Sequence, residues 1–166
     1  MLSVVALNPK HNIINNAIDV IYVNFGNVRI PFGLLEFDQP KFDLNDSKND
    51  NYLLLKVNSF SCNYRDKAIL VNNFLQLLHL EKPFLPFGSE FSATVASKGK
   101  NVNEFSIGDK VISNCTFEGI KNDDIIPGVA SNFASLGWLK IRKEKLIKQP
   151  EYFSNEEAAC FSLGGQ

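Results

Sequence analysis

The segment that most constrains the fold is GSEFSATVASKG, at residues 88–99, because its side chains follow a two-residue period. The two alternating sets are Phe91, Ala93, Val95 and Ser97 on one side, and Glu90, Ser92, Thr94 and Ala96 on the other. A period of two is the spacing of a β-strand that buries one face of its sheet. The segment therefore predicts such a strand and requires a fold that contains a sheet.

Further strand patterns are spread along the chain. In the first 35 residues, IDVIYVNF and NVRIPF flank a glycine, which predicts a β-hairpin. YLLLKVNSF begins with a continuous apolar run, which is typical of a strand buried on both faces. GDKVISNC predicts one more strand, and WLKIRKEKLIKQP predicts one or two. Together these segments predict a mainly β protein.

Two segments have helical features. YRDKAILVNNFLQLLHL has a partial apolar face, but Val71 and two asparagines lower its helix propensity, so we expect only one or two short turns. FSNEEAACFSLGGQ has Ser154 and Glu157 at the spacing of a capping box. It therefore predicts a C-terminal helix that begins near Asn155.

The composition is typical of a soluble globular protein, since 45% of the 166 residues are hydrophobic and 21% are charged. This length is enough for one domain with a good core. The net charge is −1, and Lys and Arg are scattered rather than clustered, which argues against nucleic acid as a partner. No apolar run approaches the ~18 residues of a membrane span, so we expect no membrane partner.

The three cysteines, Cys62, Cys115 and Cys160, lie far apart, and the sequence has no CxxC pair. This spacing indicates neither a structural zinc site nor a disulfide framework, and it predicts reduced thiols in a cytoplasmic protein. We expect Cys115 to be a small core residue. His11 and His79 match no metal spacing, and we expect both at the surface or at a boundary of the fold.

Four motifs, taken in order, resemble the N-terminal GroES-like domain of the medium-chain dehydrogenase/reductase superfamily. They are LEFDQPKFDLNDSKNDNYLLLKVNSFSCNYRD, the Gly-x-Glu of GSEFSATV, the Gly-Asp turn of GDKV, and the acidic, Ala-rich FSNEEAACFSLGGQ. The resemblance covers residues 34–166 and implies a partly open β-barrel with short helices, whose C-terminal helix leads towards a missing Rossmann domain. Residues 1–33 are expected to be an N-terminal extension, either an extra hairpin packed on the barrel or a divergent first strand.

The resemblance is closer to the zinc-independent branch, which contains quinone oxidoreductases and enoyl reductases. In zinc-dependent members a His follows the glycine as Gly-His-Glu, whereas Ser89 stands at that position here and Glu90 is kept. The lobe with four closely spaced cysteines is also missing. Cys62 matches the position of a zinc ligand, but a catalytic zinc needs three protein ligands, and Cys62 has no partner in motif position. We therefore expect no zinc.

The turn NYRD supplies the candidate site residues that the resemblance implies. Asn63 and Asp66 would line the cleft near the nicotinamide, where Asn63 orients a carboxamide or substrate carbonyl and Asp66 braces the turn. Tyr64 is a candidate for protonating carbon after hydride transfer, and the alternative is an aromatic ring buried as packing. Glu90 would lie at the cleft floor as a structural carboxylate. Arg65 is expected to pair with a surface carboxylate or with Asp66.

The sequence contains no GxGxxG, the turn that holds the pyrophosphate of a dinucleotide. The resemblance therefore implies that NADPH or NADH binds to a downstream dinucleotide-binding domain in a full-length protein, and that the chain is cut just before that domain. We expect the 166 residues alone to bind no cofactor and to be inactive.

The leading hypothesis is the substrate-side domain of a zinc-independent NAD(P)H-dependent oxidoreductase that reduces an activated C=C or a quinone-like carbonyl of a small molecule. A homodimer of the full-length form is compatible with the resemblance. The alternative is a non-catalytic GroES-like module for binding or oligomerisation. A downstream reading frame that encodes GxGxxG would favour the enzyme, and a genuine stop codon would favour the module.

Overall fold

The computed structural model describes residues 1–80, 82–118 and 128–164, which form nine β-strands and three α-helices. The strands are β1 (Leu2–Leu7), β2 (Ile18–Phe25), β3 (Val28–Glu36), β4 (Tyr52–Ser61), β5 (Phe84–Leu85), β6 (Glu90–Lys98), β7 (Lys110–Ser113), β8 (Trp138–Arg142) and β9 (Leu146–Lys148). The helices are α1 (Tyr64–Leu77), α2 (Asn155–Ala159) and α3 (Phe161–Gly164). Short 3-10 turns lie at Asn12–Asn16, Ser47–Asn49, Ala134–Leu136 and Lys143–Lys145.

The strands form two antiparallel sheets. The N-terminal sheet has the order β2-β3-β1-β5, and the central sheet has the order β8-β4-β6-β7-β9. Within the described residues, the two sheets do not close into a barrel. The prediction of a mainly β, partly open fold with short helices is therefore confirmed.

The central sheet holds the largest core cluster, and β4 and β6 are its middle strands. Leu53, Leu54 and Leu55 of β4 are all buried, as the continuous apolar run predicts. The prediction of a strand at β6 is also confirmed, but both faces of its first half are buried, because Glu90 and Ser92 are covered too. Helix α2 packs on β4 and β6 and closes that second face.

The N-terminal sheet contains the predicted hairpin of β2 and β3, which turns at Gly26 with a positive φ of 61°. β1 pairs with the other edge of β3, and residues 1–33 supply β1, β2 and most of β3. A second core cluster joins this sheet to α1. Its buried residues are Ala6, Ile30, Phe32, Leu70, Phe74 and Leu77.

Helix α1 is one continuous helix of 14 residues, so the expectation of one or two short turns is wrong. Its buried face is Asp66, Leu70, Phe74 and Leu77, which have helical spacing and pack beneath the N-terminal sheet. Most helical stability in proteins comes from packing of such a face, and here it outweighs the low propensity of Val71 and the asparagines.

The capping box at the C-terminal helix is confirmed, since Ser154 caps α2 and Glu157 closes the box. The helix is interrupted at Cys160 and continues as α3. Most of the predicted loop TFEGIKNDDIIPG and the last two residues of the chain lie outside the described residues. None of the helices in the described part of the chain has the length and apolar character to cross a bilayer.

Candidate functional site

The NYRD turn joins the end of β4 to the start of α1, and Asn63 is the N-cap of the helix. Its Oδ1 accepts hydrogen bonds from the backbone N of Arg65 at 2.9 Å and of Asp66 at 3.2 Å. In return, the Asn63 backbone N donates to Asp66 Oδ2 at 3.1 Å, which completes a capping box. Two side chains of the predicted site therefore fix the turn and start the helix.

Asp66 is buried although it carries a carboxyl group, because its polar partners surround it. Ser89 Oγ donates to Asp66 Oδ2 at 2.9 Å, and Ser89 itself is fully buried. A carboxylate in the first turn also faces the positive end of the helix dipole. Ser89 thus anchors α1 to the start of β6.

Glu90 is the second buried carboxyl group of the site, at 2% exposure. Its Oε2 accepts from Ser61 Oγ at 3.0 Å and from Asn63 Nδ2 at 3.4 Å. The backbone N of Leu163 donates to the other carboxyl oxygen, Oε1. Glu90 therefore ties the end of β4, the N-cap of α1 and helix α3 together. We call Ser61, Asn63, Asp66, Ser89 and Glu90 the polar cluster.

Tyr64 and Arg65 lie at the outer side of the polar cluster. Tyr64 is 83% exposed, and the ammonium of Lys67 lies 5.6 Å from the centre of its ring. Arg65 Nη1 donates to Asn132 Oδ1 at 2.9 Å. Among the described residues, Arg65 forms no ion pair with a carboxylate, and Asn132 takes the place of the expected partner.

An apolar cavity of about 540 Å³ opens beside Asn63 and Tyr64. Its lining residues are Val4, Ile21, Val23, Phe25, Phe32, Cys62, Asn63, Tyr64, Asp66, Lys67, Leu70 and Phe87. The N-terminal sheet forms one wall and the first turn of α1 forms the other. Volumes of 300–1,000 Å³ with apolar walls and a few polar groups are typical of small-molecule sites.

Cys62 also lines the cavity, and its surroundings raise the pKa of its thiol. Partial burial of its thiol, and then the nearby Asp66 carboxylate, raise the pKa of Cys62 above its ordinary value. Burial likewise raises the pKa of Cys115. Cys115 is half-buried beyond β7, so the expectation that it is a core residue is wrong. A raised pKa disfavours the thiolate, which is the form in which a cysteine acts as a nucleophile.

This raised pKa predicts slow alkylation of Cys62. Iodoacetamide reacts with the thiolate, so the rate at Cys62 should reach half its maximum at a higher pH than the rate at the cysteine of an unstructured, blocked peptide. Asp66→Asn removes the carboxylate charge but keeps an oxygen acceptor, so it should lower that midpoint in part. Peptide mass spectrometry across pH follows Cys62 separately from the other cysteines. A wild-type midpoint below that of the blocked peptide would contradict the assignment.

The structure thus brings together three of the four residues that the sequence singled out, Asn63, Asp66 and Glu90, and places Tyr64 beside them. His11 and His79 are exposed, as expected. In the described residues, no three His, Cys, Asp or Glu side chains are grouped so that they could hold a metal ion. Sequence reasoning missed Lys67 and the apolar wall of the cavity. The Asn-x-x-Asp spacing of Asn63 and Asp66 is the signal in the sequence that corresponds to this cap.

The chain is similar to known proteins in sequence and in fold. Residues 49–142, more than half of the chain, match the family described as the alcohol dehydrogenase GroES-like domain. No curated protein matches the sequence.

Three solved structures illustrate the similarity of fold. Galactitol-1-phosphate dehydrogenase from Escherichia coli is 16% identical with a TM-score of 0.60, and the match covers 97% of this chain and 41% of that chain. The CurK enoyl reductase is 16% identical with a TM-score of 0.53, with coverage of 97% and 40%. The quinone oxidoreductase from Escherichia coli complexed with NADPH is 20% identical with a TM-score of 0.53, with coverage of 78% and 32%.

The chain therefore spans only 32–41% of the length of these structures. At this level of identity, the likeness concerns the fold. The matched segment contains the NYRD turn, the Gly-Ser-Glu motif and four of the five strands of the central sheet, β4, β6, β7 and β8. The chain belongs to the alcohol dehydrogenase GroES-like domain family.

Proposed function

We propose that this chain is the substrate-side domain of a zinc-independent NAD(P)H-dependent oxidoreductase that reduces an activated C=C or a quinone-like carbonyl. The observation that carries the proposal is the position of the polar cluster, which reaches the surface at one end of the apolar cavity through Asn63. Residues 34–166 would form this domain, with residues 1–33 as an extension on it.

This chain offers a contact for the nicotinamide of the cofactor but not for its pyrophosphate. The amide of Asn63 lies next to the cavity and suits a nicotinamide carboxamide or a substrate carbonyl. Its Oδ1 accepts from the helix cap, and its Nδ2 donates to Ser89 Oγ and Glu90 Oε2 over long distances of 3.4 Å, which a closer carbonyl acceptor could replace. The sequence offers no Gly-rich turn for the pyrophosphate. We therefore infer that a downstream dinucleotide-binding domain holds NADPH or NADH, and that this chain alone is inactive. When bound, the cofactor supplies a hydride.

Each residue of the turn then has a defined task. Asn63 holds the carbonyl oxygen of the acceptor so that its β-carbon faces the hydride donor, which is a positioning effect. Asp66 keeps Asn63 in place through the capping box and through Ser89. Tyr64 donates the proton to carbon after hydride transfer. Its exposure supports this role, because a ring that is 83% exposed is not packing in the fold described here.

The simplest test is oxidation of NADPH by the full-length protein in the presence of an acceptor. Turnover that needs both the downstream domain and an acceptor supports the proposal. A folded full-length protein that binds acceptors but never oxidises NADPH would favour the non-catalytic module.

Zinc-independence predicts the metal content of the purified protein. We expect no stoichiometric zinc by elemental analysis, because the Ser89 hydroxyl donates to Asp66 and, in the described residues, no three His, Cys, Asp or Glu side chains are grouped so that they could hold a metal ion. Dialysis against a chelator should leave the melting temperature unchanged. One zinc per chain that is lost in Cys62→Ser would overturn this part of the proposal, and Cys160→Ser is the control for an exposed cysteine elsewhere.

A further inference from the structure

A second cavity lies at the other end of α1, between the C-terminal end of this helix and the loop that follows β1. Its volume is about 450 Å³. Its described lining residues are Asn8, Lys10, His11, Leu78, His79 and Leu80. None of these residues lines the apolar cavity beside Asn63. Because α1 has 14 residues, its two ends are about 20 Å apart, so this cavity is distinct from the candidate site. We call it the basic pocket.

Asn8 holds the two walls of the basic pocket together. It is 3% exposed, and its Nδ2 donates to the backbone oxygens of Leu77 at 3.2 Å and Lys82 at 3.0 Å. Its Oδ1 accepts from the backbone N of Lys10 at 3.0 Å. This buried amide ties the loop after β1 to the end of α1, so the fold itself fixes the position of the pocket.

Lys10 places an ammonium group at the end of α1, where its Nζ donates to the backbone oxygen of Leu78 at 3.0 Å. The C-terminal end of a helix carries a partial negative charge, which would repel an anion. Here Asn8 and Lys10 cover the carbonyl groups of Leu77 and Leu78. An ammonium has three N–H donors, and the bond to Leu78 uses one of them.

His11 presents an N–H donor rather than a free lone pair. The backbone N of Ile13 donates to His11 Nδ1 at 3.1 Å, which makes His11 the N-cap of the 3-10 turn Asn12–Asn16. A neutral imidazole that accepts at Nδ1 carries its proton on Nε2. A metal ion would need the lone pair of Nε2, and thus the other tautomer, which this cap opposes. The geometry at His11 therefore favours an anion over a metal ion.

The described lining of the basic pocket combines N–H donors with an apolar surface. Lys10, His11 and His79 supply the donors, and no Asp or Glu is among the described lining residues. Leu78 and Leu80 supply the apolar surface, and Leu80 is 49% exposed. A volume of about 450 Å³ lies in the range of small-molecule sites, so the pocket has room for more than a bare anion.

We propose that the basic pocket binds a small molecule that carries an oxyanion, either a phosphate or a carboxylate, on a compact apolar body. The oxyanion lies among Lys10, His11 and His79, where it accepts charge-assisted hydrogen bonds. The apolar body lies against Leu78 and Leu80. This inference goes beyond the proposed function, because it involves neither the polar cluster nor the cofactor.

Proton NMR of the two imidazole rings tests the proposal, because His11 and His79 are the two histidines of the chain. The probes are inorganic phosphate, phenyl phosphate and benzoate, added at constant pH and ionic strength to the tag-free 166-residue chain. Both imidazole signals should shift and saturate with the preferred probe, whereas sodium chloride should leave them in place. Phenyl phosphate should bind at least about fivefold more tightly than inorganic phosphate, since its ring covers apolar surface. Whichever of phenyl phosphate and benzoate binds more tightly identifies the oxyanion.

Two variants and a matched control connect this binding to the named donors. Lys10→Met keeps an unbranched side chain but removes the ammonium, so it should weaken the preferred probe at least about tenfold, the scale of a hydrogen bond between charged groups. Lys41→Met removes an exposed ammonium elsewhere and should change the affinity by less than about twofold. His11→Asn keeps an oxygen that can cap the 3-10 turn, and it should weaken binding about two- to tenfold through loss of the Nε2 donor. Circular dichroism melts confirm that each variant is folded.

The outcomes decide between an oxyanion site and its alternatives. Saturable shifts that both Lys10→Met and His11→Asn weaken support the site, whether or not a full-length protein oxidises NADPH. Shifts that never saturate, that are equal in wild type and both variants, or that fail to appear with all three probes overturn it. Both signals responding to Zn²⁺ in phosphate-free buffer, without any response to the three probes, would also overturn it and assign a two-histidine metal site.

Discussion

Replacing Tyr64 with phenylalanine in the full-length protein is expected to lower turnover of an enoyl acceptor by roughly 10²–10⁴-fold, the usual contribution of a positioned proton donor. The substitution removes one hydroxyl and keeps the ring. Because Tyr64 is 83% exposed, the melting temperature should stay unchanged. Steady-state NADPH oxidation at saturating acceptor gives kcat, and a thermal melt of the same preparation gives the stability.

Tyr152 supplies the matched control for this variant, since it is 94% exposed and does not line the cavity. Tyr152→Phe should leave both kcat and stability at wild-type values. Near-normal turnover of Tyr64→Phe would mean that the aromatic ring positions the acceptor and that the proton comes from water. That result would remove Tyr64 from the mechanism without affecting the role of Asn63.

Two substitutions of Asn63 are expected to separate turnover from stability, because its side chain both caps α1 and carries an amide beside the cavity. Asn63→Ser keeps an oxygen that can cap α1 but removes the amide donor at the cavity. It should lower kcat by about 10²-fold, the scale of misplacement by ~1 Å, with little change in stability. Asn63→Ala should lower kcat equally and also destabilise the fold by about 0.5–2 kcal/mol through loss of the cap.

Urea unfolding and steady-state kinetics on the same two variants distinguish the capping role of Asn63 from its role in positioning the acceptor. If Asn63→Ser retains wild-type turnover while Asn63→Ala loses stability, then Asn63 serves the helix alone. The polar cluster would then be a structural device, and the proposed orientation of the acceptor would be wrong.

Much of the fold could be predicted because the strands carry local signals. The strand around Phe91, the buried leucines of β4 and the capping box at Ser154 each depend on residues close together in sequence, and each was confirmed. The burial of both faces at the start of β6 was not predicted, because helix α2, which covers the second face, comes from a distant part of the chain. The length of α1 was mispredicted because its stability comes from packing against the N-terminal sheet, which the propensity of Val71 does not report.

The candidate site was harder to predict, because most of its contacts join residues that are distant in the sequence. Asn63 and Asp66 are three positions apart, so their mutual cap could be anticipated. The partner of Arg65 is Asn132, 67 positions away, and no local pattern connects the two. The cavity wall at Ile21 is likewise distant from α1 in sequence. The burial of Glu90 was expected from a resemblance, whereas its bonds to Ser61 and Leu163 depend on how three elements meet.

The most direct test of the central claim is transfer of deuterium from NADPH labelled at C4. The chain is extended with the sequence encoded downstream of Gln166, and a conjugated octenoyl thioester and menadione are offered as acceptors. We expect oxidation of NADPH that requires an acceptor, deuterium at the β-carbon of the saturated thioester, and a solvent-derived proton at its α-carbon. The 166-residue chain alone should do none of this. A folded, extended protein that binds NADPH but gives neither oxidation nor deuterium transfer with either acceptor would contradict the assignment as a reductase.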